Sequence, residues 1–334
     1  MNPIIFSFAL VLFVGLTAAG TQGNSLMQYK EGQRFFLFPD SHGKLHLVDS
    51  KETEQQPKFV PATDVNLFLF TRKNPSTAQK ITVGDSAGLK ASSFDATKPV
   101  KFIAHGWTDN GATGEYSRSL REVFLQILDV NVIVFDWGIG AAGQYPTAVG
   151  NVAIAGEFLG KLVDWLVSEG MPIANVHLLG YSLGGHVVGI GGRSVTRGKV
   201  PYITGFDPAM PLWGSTSKRL RATDGGYVEV IHTNGGNMGL NEPCGHNDFY
   251  PNRGSQQPGC GTLDFGCSHA RAWQYFADSL DHTRYQAKQC NSYDEMNKGQ
   301  CANLSTLYMG GSKTKAAVGI FYLETGSTKP YYLG

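Results

Sequence analysis

The chain has 334 residues, 42% of them hydrophobic and 16% charged, a balance that supports a sizeable core and excludes an intrinsically disordered chain. The formal net charge is +1, which leaves no electrostatic footprint for nucleic acid and no case for strong attraction to an anionic membrane. The first twenty residues, MNPIIFSFALVLFVGLTAAG, are apolar and uncharged. The run 4–16, followed by Thr17, Ala18, Ala19 and Gly20, has the length and small-residue end of a signal peptide. A membrane span needs about 20 apolar residues and usually has basic flanks. A basic residue near Met1 is missing from the pattern. Cleavage near Ala19 or Gly20 is expected, leaving residues 21–334 as a secreted, extracellular domain with no later segment apolar enough to span a bilayer.

Residues 21–60 are polar and mixed, with strand-like runs at 34–38 and 45–48. Residues 64–71 (DVNLFLFT) predict an early strand. Residues 99–105 (PVKFIAH) predict another, ending in His105-Gly106-Trp107. Helical spacing follows around 115–128. The run 131–137 (NVIVFDW) is too apolar for a half-exposed strand and reads as a buried central one. Residues 144–168 carry apolar positions at helical spacing, with Gly170 and Pro172 as stop signals. Then come a strand at 175–179, a helix at 186–197, and strands at 202–206 and 226–232. Buried strands thus alternate with helices from about 99 to 232, which is the pattern of a mostly parallel, doubly wound sheet flanked by helices. Beyond 232 the chain becomes loop-rich and Cys-rich, resuming with a helix at 270–280 and a late strand at 316–323. There is no internal repeat, low-complexity segment or linker, so one α/β domain is expected.

All five cysteines lie at 244, 260, 267, 290 and 301, which fits an oxidising compartment once a signal peptide is granted. The odd count leaves one unpaired or bridged between chains. Asn303-Leu304-Ser305 is a glycosylation sequon, whereas Asn74-Pro75-Ser76 is excluded by its proline.

The segment Gly180-Tyr181-Ser182-Leu183-Gly184 fits the G-x-S-x-G nucleophile elbow, where a serine sits on a sharp strand-to-helix turn and flanking glycines remove side chains that would clash across it. The strand before and the helix after are predicted independently. A serine hydroxyl needs a base, and the base needs a carboxylate to orient it. Along such chains the order is Ser, then Asp or Glu, then His. Asp207 ends the strand 202–206, on the rim where such sheets place their sites. Four histidines follow it, His232, His246, His269 and His282. His232 ends a strand, His246 lies in a loop, His269 lies in a loop before a helix, and His282 falls near a helix end. Order alone leaves the choice open. An oxyanion hole needs two backbone N–H donors. Leu183, next to the serine, supplies one candidate and Trp107 of the His105-Gly106-Trp107 segment the other.

These residues resemble the animal pancreatic-type lipase family, and within it the insect neutral lipases and the short-lid phospholipases A1. The resemblance rests on KFIAHGW (101–107), NVIVFDW (131–137), VHLLGYSLGGH (176–186), GFDPAMP (205–211), YVEVIHTN (227–234), DFYPN (248–252), QPGC (257–260) and CSHARA (267–272). It implies an α/β-hydrolase fold, Ser182, Asp207 and His269 as a catalytic triad, and Trp107 and Leu183 as oxyanion donors. It also implies that Cys260 and Cys267 bracket a lid, that Cys290 pairs with Cys301, and that Cys244 is the odd one. Tyr181 stands where the family has His, and Gly185 where it has Ala. The C-terminal β-sandwich of the vertebrate relatives is not expected, nor is a colipase-type partner. Of the family's calcium-binding stretch only Asp224 is matched, so no metal or other cofactor is expected.

The function these readings imply is hydrolysis of lipid esters, phospholipid or triacylglycerol, at a membrane or emulsion surface. A catalytically inactive lipid-binding or yolk-type storage protein is the alternative, and the presence of both the serine and the histidine separates the two. A small-ester carboxylesterase matches the motifs less closely. Only six residues lie between Cys260 and Cys267, too few for a helical lid, since a chain spans at most about 3.3–3.6 Å per residue.

Overall fold

In the computed structural model, residues 29–333 are described, apart from 53–57, 215, 262–263, 265, 282–283 and 302–305. The expected signal peptide (1–20), the sequon at Asn303 and the candidate base His282 lie outside the described residues.

The N-terminal part begins with β1 (Phe35–Pro39) and β2 (Leu45–Asp49), followed by α1 (Pro61–Asp64), β3 (Asn66–Phe70), β4 (Gln79–Ile81) and α2 (Ser86–Ala91). The alternating middle comprises β5 (Val100–Ala104), α3 (Glu115–Ile127), β6 (Asn131–Asp136), α4 (Gly138–Ala141), α5 (Tyr145–Ser168), β7 (Val176–Tyr181), α6 (Leu183–Ser194), β8 (Tyr202–Phe206) and β9 (Tyr227–Ile231). The chain continues through β10 (Asn247–Pro251), α7 (Cys267–Asp281), β11 (Gln286–Cys290), α8 (Tyr293–Lys298), β12 (Thr306–Tyr308) and β13 (Gly319–Leu323).

Among the described residues, eleven strands form one sheet in the order β12-β11-β13-β10-β9-β8-β7-β5-β6-β3-β4, and β1–β2 is a separate antiparallel ribbon. From β6 through β5, β7, β8, β9 and β10 to β13 every pairing is parallel. Antiparallel strands finish both edges. The sheet is therefore mostly parallel, as expected. Strands β5, β6, β8 and β9 are buried at every position, because a core packs on each face. On one face Phe102, Ile133 and Leu178 meet Val152 and Leu159 of α5 and Val187 of α6. On the other, Ile103, Val134 and Leu179 meet Leu120 and Phe124 of α3 and Phe276 of α7. Each strand alternates its side chains between two apolar layers, so the doubly wound architecture follows from runs such as NVIVFD.

Three expectations need correction. Helix α6 begins at Leu183, not 186: Gly184 and Gly185 are poor helix formers, yet the turn requires their small size. Helix α7 begins at Cys267, so His269 sits in its first turn rather than in a preceding loop. Strand β10 lies in the stretch read as loop. Asn247 and Asp248 disfavour strands, but both are buried and bonded, Asn247 donating to the Tyr227 hydroxyl (2.9 Å) and Asp248 accepting from Cys244 N–H (2.9 Å). Tertiary contacts override propensity there. The disulfides Cys260–Cys267 and Cys290–Cys301 are formed and Cys244 is free and buried, as the resemblance implied. Among the described residues no helix is long and apolar enough to cross a membrane.

Candidate active site

The sheet brings three loops together at the C-terminal ends of β5, β7 and β8. Ser182 stands between β7 and α6 with φ +56° and ψ −122°, a conformation that costs a non-glycine residue on the order of 1–3 kcal/mol. Its neighbours hold it there. Ser182 N–H donates to Phe206 O (3.0 Å), and its carbonyl accepts from Gly185 N–H (3.0 Å) and Ala209 N–H (3.2 Å). The flanking glycines are needed for close approach: a Cβ on Gly180 would stand 2.5 Å from the Gly184 carbonyl carbon, and one on Gly184 would stand 2.6 Å from His105 O.

Asp207 follows β8 directly, also at positive φ (+41°), and is completely buried. Its Oδ1 accepts from the N–H groups of Thr233 (2.8 Å) and Asn234 (3.0 Å), at the end of the neighbouring β9. Its Oδ2 is left to His269, whose Nδ1 lies 2.5 Å away. A hydrogen bond from Nδ1–H to a carboxylate leaves Nε2 as the lone-pair nitrogen. That atom is buried and has no hydrogen-bond partner among the described residues. His269, with Ser182, lines a cleft of about 500 Å³. The Tyr181 ring packs 4.7 Å from the imidazole.

The Gly106–Trp107 segment borders the serine directly, since a Cβ on Gly106 would stand 3.0 Å from Ser182 Cβ. Two groups fix this segment. His105 is buried and bonds through Nε2 to Asp136 (3.1 Å) and through Nδ1 to Gly106 O (3.0 Å). Burial raises the Asp136 pKa, but the His105 bond and the N–H groups of Gly111 and Gly138 outweigh it and hold the group at about 2. Trp107 Nε1 donates to Gly143 O (3.0 Å). Among the described residues, no backbone acceptor takes the N–H of Trp107 or of Leu183. Apolar and aromatic walls come from Phe38, Trp107, Tyr116, Tyr181 and Trp273, and the carboxylates Asp40, Asp109, Glu115 and Asp264 stand around the same cleft.

The structure thus brings Asp207 and His269 into contact and sets Ser182, His269 and Trp107 around one cleft. Of the other candidate bases, the two that are described are engaged elsewhere. His232 bonds Leu240 O (2.9 Å) and Asp248 (2.8 Å), and His246 Nδ1 accepts from Val228 N–H (3.0 Å). Sequence reading missed the His105–Asp136 pair, the Thr233 and Asn234 donors, and the 38–43 wall. The Thr-Asn pair had a signal, because it follows the strand next to the one that carries Asp207.

Neither candidate set among the described residues fits a cation. The Asp224 carboxylate is buried and taken by two guanidiniums, Arg193 (2.7 and 2.8 Å) and Arg221 (3.2 Å), which place positive charge where a cation would need ligands. Among the described residues, His232, Cys244 and Asp248 have ligand-type atoms within 4.8 Å of one another. Both His232 nitrogens are already hydrogen-bonded there, and burial beside Asp248 pushes the Cys244 thiol pKa well up.

Against known proteins, the family model described as Lipase matches residues 38–331. The pancreatic triacylglycerol lipase of Myocastor coypus is 33% identical over 308 residues, covering 81% of this chain and 67% of that one. The pancreatic lipase-related protein 2 of Bos taurus is 33% identical, covering 79% and 64%. Lipase member H of Xenopus tropicalis is 35% identical over 249 residues, covering 72% and 54%. The chain spans about two thirds of the length of the first two and about half of the third. Among solved structures, an esterase of Pyrococcus furiosus aligns with 53% of this chain and 70% of its own at 15% identity and a TM-score of 0.32, an overlap too slight to bear on function.

Proposed function

The chain belongs to the lipase family, and from that premise we propose that it hydrolyses lipid esters through Ser182, His269 and Asp207. The observation that carries this reading is the 2.5 Å bond from His269 to Asp207, which leaves Nε2 without a partner among the described residues on an imidazole that lines the same cleft as Ser182. Ser182 Oγ attacks the ester carbonyl carbon as His269 Nε2 takes the hydroxyl proton. Asp207, held by Thr233 and Asn234, orients the imidazole and stabilises its cation. The N–H groups of Trp107 and Leu183 receive the developing oxyanion. The carbon–oxygen ester bond then breaks and His269 protonates the departing alcohol; water, deprotonated by the same nitrogen, attacks the acyl carbon, and His269 returns that proton to Ser182 Oγ as the fatty acid leaves.

Phospholipids are the favoured substrate class, with 1-acyl hydrolysis at least equal to that of long-chain triacylglycerols. Support comes from the short span between Cys260 and Cys267, whose Cα atoms are 5.5 Å apart; residues 262–263 and 265 of that span lie outside the described residues. A loop so tied admits a polar head group without a large lid having to open. The apolar leader and two disulfides support secretion. The test is a panel of dispersed phospholipid, triacylglycerol, galactolipid and dissolved short-chain esters. Release of fatty acid from phosphatidylcholine at a rate at least equal to that from triolein is the expected result. Inactivity toward the whole panel would leave the inactive lipid-binding alternative.

A further inference from the structure

The β1–β2 ribbon is apolar on both faces. Its register pairs Phe36 with Val48 and Phe38 with His46 on one face, and Leu37 with Leu47 and Pro39 with Leu45 on the other. The first face packs inward, with Phe36, Phe38 and Val48 buried and His46 half-buried. Phe36 meets the Tyr145 ring at 6.2 Å, and Phe38 and His46 meet the Trp107 ring at 5.8 and 5.3 Å. Away from the tip the second face is turned to solvent, with Phe35 50%, Leu37 37% and Leu47 67% exposed, while Pro39 is buried and Leu45 half-buried next to the tip. A ribbon with one face in the core ordinarily carries polar residues on the other, and clustered exposed apolar side chains mark an interaction site.

The position of the ribbon says what covers that face. Phe38, Asp40, Ser41, His42 and Gly43, at its tip, line the cleft that holds Ser182 and His269. Ser41 is tied to the residue after Trp107: its N–H donates to Thr108 Oγ1 (2.9 Å) and its hydroxyl donates to Thr108 O (3.2 Å). The hairpin that carries the exposed apolar residues thus also supplies one wall of the cleft. The Arg34 guanidinium lies over the Phe35 ring at 4.7 Å while pairing with Asp49, so the edge of the patch is polar and zwitterionic. An apolar centre with a rim of mixed charge suits a zwitterionic lipid surface.

Granting the esterase reading, we propose that the outer face of the β1–β2 ribbon is the docking surface by which this chain sits on a lipid layer, with the cleft mouth against its substrate. Leu37, Leu47 and Phe35 enter the layer, and the tip 40–43 lies at the boundary. This supplies the surface attachment that a six-residue lid loop cannot.

The experiment uses the Ser182→Ala chain, so that binding is read without turnover. It is mixed with phosphatidylcholine vesicles and separated by flotation, with and without Leu37→Ser and Leu47→Ser. The bound fraction should fall at least about tenfold, as expected from losing two large apolar contacts. In the active chain the same pair should lower the rate on vesicles comparably and leave hydrolysis of a dissolved short-chain ester unchanged, which also shows that the variant is folded. Unchanged flotation overturns the proposal. So does a parent chain that sediments as a dimer dispersed by the substitutions while vesicle binding persists, which would make a second copy the occupant. Vesicle binding that appears only after deletion of residues 21–28 would assign the face to that segment and overturn it too. An active-site-intact chain that hydrolyses no ester overturns the esterase reading, and flotation still decides the docking.

Discussion

Gly184 packs against His105 through backbone alone: a Cβ at position 184 would stand 2.6 Å from the His105 carbonyl oxygen. His105 follows β5, which pairs in parallel with β7, the strand that ends at the nucleophile turn. Neither backbone can retreat without breaking that register. Gly184→Ala should therefore destabilise the fold by roughly 1–3 kcal/mol, the range for overpacking, and should also displace Ser182. Thermal unfolding and the rate on a dissolved ester should fall together. A variant as stable and as active as the parent would show that the turn is looser than described.

Asp207 accepts from Thr233 and Asn234 with one oxygen and faces His269 Nδ1 with the other. Asp207→Asn keeps the size but can present an N–H to His269, which favours the wrong imidazole tautomer. The serine-protease precedent is a fall in kcat on the order of 10⁴. The same direction is expected here, with KM little changed because the group does not touch substrate. A fall confined to KM would remove Asp207 from the proposed role.

His186 makes a different pH prediction. Burial pushes its pKa down to about 3 from the ordinary 6.5, despite its bond to Ala209 O. Its Nδ1 accepts from Leu220 N–H (3.1 Å) and its Nε2 donates to Ala209 O (2.7 Å), so the neutral ring is fully used and a second proton would expel an existing donor. The folded pKa is depressed, so the unfolded chain takes up the proton first as pH falls. Stability is complete above the unfolded value and is lost progressively toward the folded one, at about 1.4 kcal/mol per pH unit in that window. His177, buried and beside Lys101, adds a slope of the same sign. Urea unfolding between about pH 6 and pH 4 should show that decline, and His186→Gln should reduce its slope. An unaltered slope would exclude His186 as a source.

The Cys260–Cys267 bridge ends where α7 begins, two residues before His269. Replacing both cysteines with Ser should cost about 2–3 kcal/mol of stability from the freed loop and should lower kcat more than it raises KM, since His269 loses its anchor. The intact chain should show little jump in rate as triolein passes its solubility limit. A large jump, with a strong triolein preference, would show that the short loop does not govern access.

Much of this arrangement is legible in the sequence, because its signals are local. NVIVFD holds four apolar residues in succession, a short β-branched run that suits a strand buried on both faces. The elbow glycines have a steric reason that can be stated without coordinates. The choice among four histidines is different. It depends on α7 crossing to the rim where β8 ends, a long-range fact, and in the sequence only the family resemblance singles out His269. Strand β10 was hidden because Asn247 and Asp248 have partners, Tyr227 and Cys244, that lie on other segments. The runs 34–38 and 45–48 read as strand-like, but nothing local shows that they pair or which of their two faces meets the core.

The most direct test of the central claim is the initial rate of fatty-acid release from dispersed phosphatidylcholine by the purified chain and by Ser182→Ala at equal concentration. The parent should turn over, and the variant should be slower by several orders of magnitude, on the order of 10⁶ in the protease precedent. A Ser182→Ala chain that releases fatty acid at a near-normal rate would contradict nucleophilic catalysis by Ser182.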